Sequence, residues 1–235
     1  MIAVMKKEFK GLFSCHIGYS VLAVLFCLSG AFFFLGNLYS ANSDLSQVFS
    51  NMYMVILLIL PILTMRLFSD ERRQKTDQAL LTAPVGLTGV VLGKYLAALL
   101  VFVLGMVITL VYAVVVALFV TPDWLVVIGS FIGTLLLGGT IIALGILISS
   151  LTESQFVAAL GTIAICILWI LIDSLGSALA STEVLTAVIN FISLDSRYYN
   201  FVMGSINYDD VLFFLSTQAI FLFLTVRVLD RKRWN

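Results

Sequence analysis

Apolar runs of about twenty residues alternate with short polar breaks along almost the whole chain. Each run is long enough to cross a hydrocarbon core of about 30 Å as a helix. Six spans are predicted on this pattern: Gly18–Gly36, Asn51–Leu67, Tyr95–Val120, Leu125–Leu151, Phe156–Ile172 and Val211–Val228. Pro61 falls inside the second, where a lipid-embedded helix tolerates it and bends. Ahead of the first span, residues 1–16 set Lys6, Lys7 and Lys10 against Ile2, Val4, Met5, Phe9, Leu12 and Phe13. That 3.6-residue pattern predicts an amphipathic helix lying in the membrane interface. Two longer segments break the alternation. Residues 68–92 form a charged loop between spans two and three. Residues 174–209 form an insertion between spans five and six. In it Leu179, Val184, Leu185, Val188, Ile189, Phe191 and Ile192 predict one or two short interfacial helices, with Tyr198, Tyr199 and Tyr208 at headgroup depth. The fold class is all-α, a single polytopic membrane domain over residues 1–235.

Composition agrees with this class. Of 235 residues, 61% are apolar and 11% charged, whereas soluble domains average roughly 25% charged. Thirteen basic and thirteen acidic residues cancel, so no long-range positive field is available to attract nucleic acid. Charge matters instead through its distribution. Lys6, Lys7 and Lys10, then Arg66, Arg72, Arg73, Lys75 and Lys94, then Arg227, Arg231, Lys232 and Arg233 all fall on one side of a six-span arrangement, leaving Arg197 alone on the other. The positive-inside rule therefore puts both termini and the 68–92 loop in the cytoplasm. The turn between spans four and five carries no basic residue, and its side follows from parity alone.

Reactive chemistry is scarce. No span carries a Lys, Arg, Asp or Glu near its midpoint, which argues against ion-coupled transport and charged pores. His16 is the only histidine, and there is no phosphate-cradling GxxxxGK[ST] sequence and no nucleophile with a partner base. Cys15, Cys27 and Cys166 lack metal-ligand spacing and read as small buried hydrophobes, with no disulfide and no metal. No catalytic, cofactor or metal residue is assigned, and any energy for work must come from another chain.

Two features remain. In the loop, Asp70 and Glu71 precede Arg72, Arg73 and Lys75, with Glu71 and Lys75 spaced for an i,i+4 pair. Leu80 and Leu81 then share an apolar face, and Pro84 ends the helix by restricting Ala83. This reads either as a charge-anchored connector or as a short helix that docks a cytosolic partner. In span four, Gly129 and Gly133, Ser130 and Thr134, Gly139 and Ala143, and Gly145 and Ser149 give the small-xxx-small spacing that lets helices approach closely in lipid.

The loop resembles that of the type-2 ABC exporter permeases, in which an acidic-basic pair precedes a Thr, a Leu-Leu pair, a Pro and a Gly-Lys. Here these are Glu71-Arg72, Thr76, Leu80-Leu81, Pro84 and Gly93-Lys94. That family often has glycine just before Thr76, where this chain has Lys75. The stretch from Asn200 to Val211, with Leu222–Leu229 and Arg233-Trp234, is similar to the branch of gliding-motility and nitrous-oxide-reductase-maturation permeases. The resemblance implies a bacterial inner-membrane permease that works as a dimer with a second copy or a homologous permease. Two cytosolic ATP-binding subunits would supply the drive, with ATP and Mg held on those partners and none on this chain. Glu71, Arg72, Arg73, Thr76, Leu80, Leu81 and Pro84 would make the docking segment. The 174–209 insertion would cap the path outside and leaves room for an extracellular accessory protein. The competing reading is a non-transporting anchor or assembly subunit that recruits such a protein. Thr109, Thr134, Thr140, Thr162, Ser216, Thr217 and Gln218 could line a path or simply hydrogen-bond between helices.

Overall fold

The computed structural model describes residues 1–73, 75, 86–178 and 193–234, and among these every regular element is a helix. In chain order they are α1 (Ile2–Ser14), α2 (Ile17–Phe33, continued by a π-helical segment Phe34–Tyr39), α3 (Ser46–Thr64), α4 (Arg66–Arg73), α5 (Leu87–Ala117), α6 (Trp124–Leu151), α7 (Gln155–Ala178), α8 (Leu194–Val202) and α9 (Tyr208–Trp234). Six membrane-length helices result: α2 with its π end, α3 running on through α4, then α5, α6, α7 and α9.

Several boundaries depart from the hydropathy pattern, each for a local reason. The second span begins at Ser46, five residues before Asn51, because polar side chains organise its start. Asp44 accepts from the Ser46 backbone N–H at 2.9 Å and from the Ser46 hydroxyl at 2.7 Å. Asn37 is buried and donates to the carbonyls of Asn42 and Asp44. The third span begins at Leu87 rather than Tyr95, so Lys94 lies inside a helix and helix occupies both ends of the 68–92 segment. At 1.5 Å per residue the 31-residue α5 is about 46 Å long, and Lys94 sits about 10 Å from its start. That depth is close to the edge of a hydrocarbon layer about 30 Å thick. On the other side, α7 runs past Ile172 into the 174–209 insertion. The helices expected around Leu179, Val184, Leu185, Val188, Ile189, Phe191 and Ile192 fall outside the described residues.

Helix α6 is the axle of the bundle. It packs on α3, α4, α5, α7, α8 and α9, and 67% of its most apolar window is buried against 17% for α9. Its small residues make the approaches possible. A β-carbon on Gly129 would lie 3.0 Å from the Phe201 carbonyl oxygen, and one on Gly133 would overlap the Phe201 side chain. One on Gly139 would lie 2.8 Å from the Tyr95 hydroxyl, and one on Gly145 would overlap Thr64.

Tyr198 is buried at 2% exposure. Helix α8 folds back against the bundle, and the Tyr198 hydroxyl donates to the Phe49 carbonyl at 2.8 Å beside Thr134. Burial pushes this hydroxyl's pKa upward, so it stays protonated and keeps its donor role. Tyr199 and Tyr208 remain exposed. The lone basic residue of this face, Arg197, is paired with Asp210 at 2.8 Å. Cys166 is buried, but Cys15 and Cys27 are exposed: Cys15 ends α1 at a corner, and Cys27 points away from the bundle on the peripheral α2.

The hydroxyls within the spans mostly turn back on their own helices. Thr109, Thr134, Thr140, Thr162 and Thr217 each donate to a carbonyl three or four residues earlier, and Ser216 does the same. Gln218 instead bridges helices. It accepts from the Tyr95 hydroxyl at 3.0 Å and donates to the Leu136 carbonyl at 2.9 Å, joining α9, α5 and α6.

Candidate coupling site

The polar chemistry of the molecule concentrates at one end, around the eight residues of α4. This helix starts five residues after Pro61, and the α3–α4 boundary falls at Met65. The first backbone N–H groups of a new helix have no partner within it. Here a side chain from another helix takes that role. Ser149 of α6 accepts from the N–H groups of both Phe68 and Ser69 at 3.1 Å, and it donates to the Met65 carbonyl at 3.0 Å. The Ser69 hydroxyl returns a bond to the Ser149 carbonyl. Gly145, one turn earlier on α6, seats Thr64 against the same boundary. Phe68, Ser69, Thr64 and Ser149 are buried, so their bonds stand in for ones that water cannot supply.

The polar side of α4 is held on two flanks. Towards the α6–α7 turn, Arg72 donates to the Leu151 carbonyl at 2.8 Å and to Glu153 at 3.2 Å. Asp70 pairs with Arg66 at 2.6 Å and accepts from Gln155. These contacts put the turn between spans four and five on the same face as the basic loop, the side that parity alone assigned. Towards α5 stands Lys94, whose side chain is fully buried. Its ammonium donates to the Leu67 carbonyl at 2.6 Å and reaches Glu71 at 2.9 Å and Glu8 at 3.2 Å. It also lies 4.8 Å from the centroid of the Phe68 ring. An ammonium is an excluded guest in apolar surroundings unless it is paired and hydrogen-bonded, and here two carboxylates and a carbonyl meet that condition. One lysine therefore ties α1, α4 and α5 together.

A cleft of about 180 Å³ opens over this cluster, lined by Lys7, Glu8, Arg66, Asp70, Glu71 and Lys94 among others. The opposite flank carries a second hollow of about 540 Å³, between Met65, Arg73 and the turn residues Glu153–Phe156.

Of the seven residues assigned to docking, Glu71 and Arg72 are engaged within the chain, Glu71 with Lys94 and not with Lys75. Arg73 is exposed at the end of α4, where a cation complements the helix dipole. Thr76, Leu80, Leu81 and Pro84 lie outside the described residues. Lys75 adopts a left-handed backbone, φ 56°, the conformation that glycine takes most easily. A lysine therefore holds this backbone at some strain. Sequence reasoning missed Glu8, Ser69 and Gln155, read Ser149 only as a small packing residue, and treated Lys94 as a loop charge. Two signals for the Glu8–Lys94 pair were available: Glu8 is the only acid before Asp44, and Lys94 interrupts an apolar run on both sides.

The fold and this cluster define a polytopic helical membrane protein in which every ion pair among the described residues except Arg197–Asp210 lies at one face. The family model for ABC-2 family transporter protein matches residues 3–234, and the chain belongs to that family. It is thus a transmembrane permease component of an ABC transporter, a class that associates with an ATP-binding subunit and pairs with another permease. No individually curated protein matches it closely enough to count as a relative.

Proposed function

We propose that this chain is the permease half of an ATP-driven exporter of the gliding-motility and nitrous-oxide-reductase-maturation branch, with its basic face and both termini in the cytoplasm of a bacterial cell. Two permeases pair in the membrane, with two cytosolic ATP-binding subunits beneath them. The loop after α4 docks in a groove of the ATPase: Leu80 and Leu81 supply the apolar contact, Thr76 and Pro84 shape the segment, and Arg73 meets the rim. Glu71 and Arg72 act by holding α4, the root of that loop. The 174–209 insertion caps the outer end of the path.

The observation that carries this reading is the fixation of α4. It is bonded at once to α1 and α5 through Lys94, to α6 through Ser149 and to the α6–α7 turn through Arg72 and Asp70. A partner that pulls on the loop therefore cannot displace α4 alone; spans three, four and five must respond. The ATPase drives this only if it binds the two permease arrangements with different free energies. Closure of the paired ATPases on ATP supplies that difference, and hydrolysis resets it. Spans with little burial inside one protomer, α2, α7 and α9, leave apolar faces for lipid and for the second permease.

Leu81→Asp tests the docking. A carboxylate placed in an apolar groove has no partner there and loses its hydration. The variant is expected to co-purify with the ATP-binding subunit at less than about one-tenth of the wild-type level, with unchanged thermal unfolding of the permease alone. Wild-type recovery of the complex, with wild-type ATPase stimulation, would remove the docking assignment.

A further inference from the structure

Helix α1 is divided into three sectors, and its place against α5 uses only one of them. At about 100° per residue, Val4, Glu8 and Leu12 share a face. Val4 lies against Gly93, Glu8 pairs with Lys94, and Leu12 is the buried residue of the helix. The adjoining sector carries Ile2, Phe9 and Phe13. Ile2 is exposed, and the Phe rings are half-buried with centroids 4.9 Å apart. Tyr19, just beyond the His16 corner, stacks edge-on against Phe13 at 4.9 Å and is itself exposed. The third sector presents Lys6 and Lys10, both exposed.

These two lysines are four residues apart on one helical face, a spacing at which like charges repel. Lys7 has Glu8 and Glu71 nearby, but Lys6 and Lys10 make no ion pair among the described residues. The chain thus leaves a doubly cationic stripe unneutralised directly beside an apolar, aromatic one. Phe and Tyr flanked by Lys match the boundary between acyl chains and headgroups, where aromatic rings settle and lysine stems reach outward. An acidic soluble protein would meet the lysines but not the Ile2–Phe9–Phe13 sector. A phospholipid meets both, its phosphate at the lysines and its acyl chains along the rings.

We propose that the Lys6–Lys10 face of α1 is a binding surface for anionic phospholipid headgroups of the adjacent leaflet. Because Glu8 belongs to the same helix and is held by Lys94, lipid that fixes α1 also fixes one wall of the α4 cluster. The lipid surface itself is independent of any ATP-binding partner, so it stands or falls separately from the transport reading.

The test uses the full chain in bilayers of phosphatidylcholine with roughly one-third phosphatidylglycerol. Electron spin resonance of spin-labelled lipids then gives the relative association of the two headgroups with the protein. Each lysine near a charged surface contributes up to about a fivefold preference. Wild type is expected to prefer phosphatidylglycerol. K6Q/K10Q is expected to reduce that preference at least about twofold, K6R/K10R to keep it, and about 0.5 M salt to weaken it in wild type. Neither substitution touches the Glu8–Lys94 contact, so thermal unfolding in phosphatidylcholine alone should match wild type. An unchanged preference in K6Q/K10Q, or a wild type with none, overturns the proposal.

Discussion

Lys94→Ala is expected to destabilise the protein by about 3–5 kcal/mol. The substitution removes a fully buried ammonium and leaves Glu8 and Glu71 facing each other with most of their surface withdrawn from water. It also strips the Leu67 carbonyl of a 2.6 Å charge-assisted bond. The cost arises mostly from the two carboxylates losing their closest cation, which leaves the exposed Lys7 at 3.9–4.0 Å as a weaker substitute. Replacing all three ions with neutral groups, as in Lys94→Met with Glu8→Gln and Glu71→Gln, is therefore expected to recover much of the loss. Thermal and denaturant unfolding in mild detergent would measure both. A second readout is the attachment of α1: proteolysis near His16 should accelerate in Lys94→Ala and less in the triple variant. A Lys94→Ala protein within about 0.5 kcal/mol of wild type would show that the ions are bystanders.

Gly138→Ala is expected to cost about 1–3 kcal/mol. A β-carbon there would fall within the ring of Phe102, which is fully buried between α5 and α6. Neither helix can retreat easily, because Gly139 on the same stretch already touches Tyr95 and Gln218. Phe102→Leu should relieve part of the loss when combined with Gly138→Ala, which a double-mutant cycle would detect. Gly11→Ala provides the contrast. Nothing lies within 4 Å of its β-carbon position, so the change should stabilise α1 by about 0.5–1 kcal/mol through reduced backbone entropy. Equal effects at the two positions would mean that α6 does not pack as described.

The spans were legible because lipid imposes a single rule, that every backbone polar group be satisfied within a helix, and that rule leaves long apolar runs. The start of α3 was not, since Asn37, Asp44 and Ser46 cap and brace a helix while reading as loop residues. Lys94 misled for a related reason. A lysine at the end of an apolar run looks like a boundary, and only its partners, 23 and 86 positions away at Glu71 and Glu8, make it an interior residue. The glycine spacing of α6 was visible at Gly129, Gly133, Gly139 and Gly145, but the spacing named no neighbour. Phe201, Tyr95, Gln218 and Thr64 emerge only when distant segments are brought together. Ser149 shows the same limit most clearly. As a letter it is one more small residue, and its work is to close the α3–α4 boundary of another span.

The proposed function requires α4 and the loop after it to meet an ATP-binding subunit at the basic face. Photo-crosslinking in living cells tests this directly, with the photoreactive residue placed at Arg73, at Lys75 or, on the opposite face, at Tyr208. A covalent adduct with a nucleotide-binding chain is expected from Arg73 and Lys75, strengthened when ATP hydrolysis is blocked, and none from Tyr208. An adduct with that chain from Tyr208, or its absence from both positions at the end of α4, would contradict the proposed function.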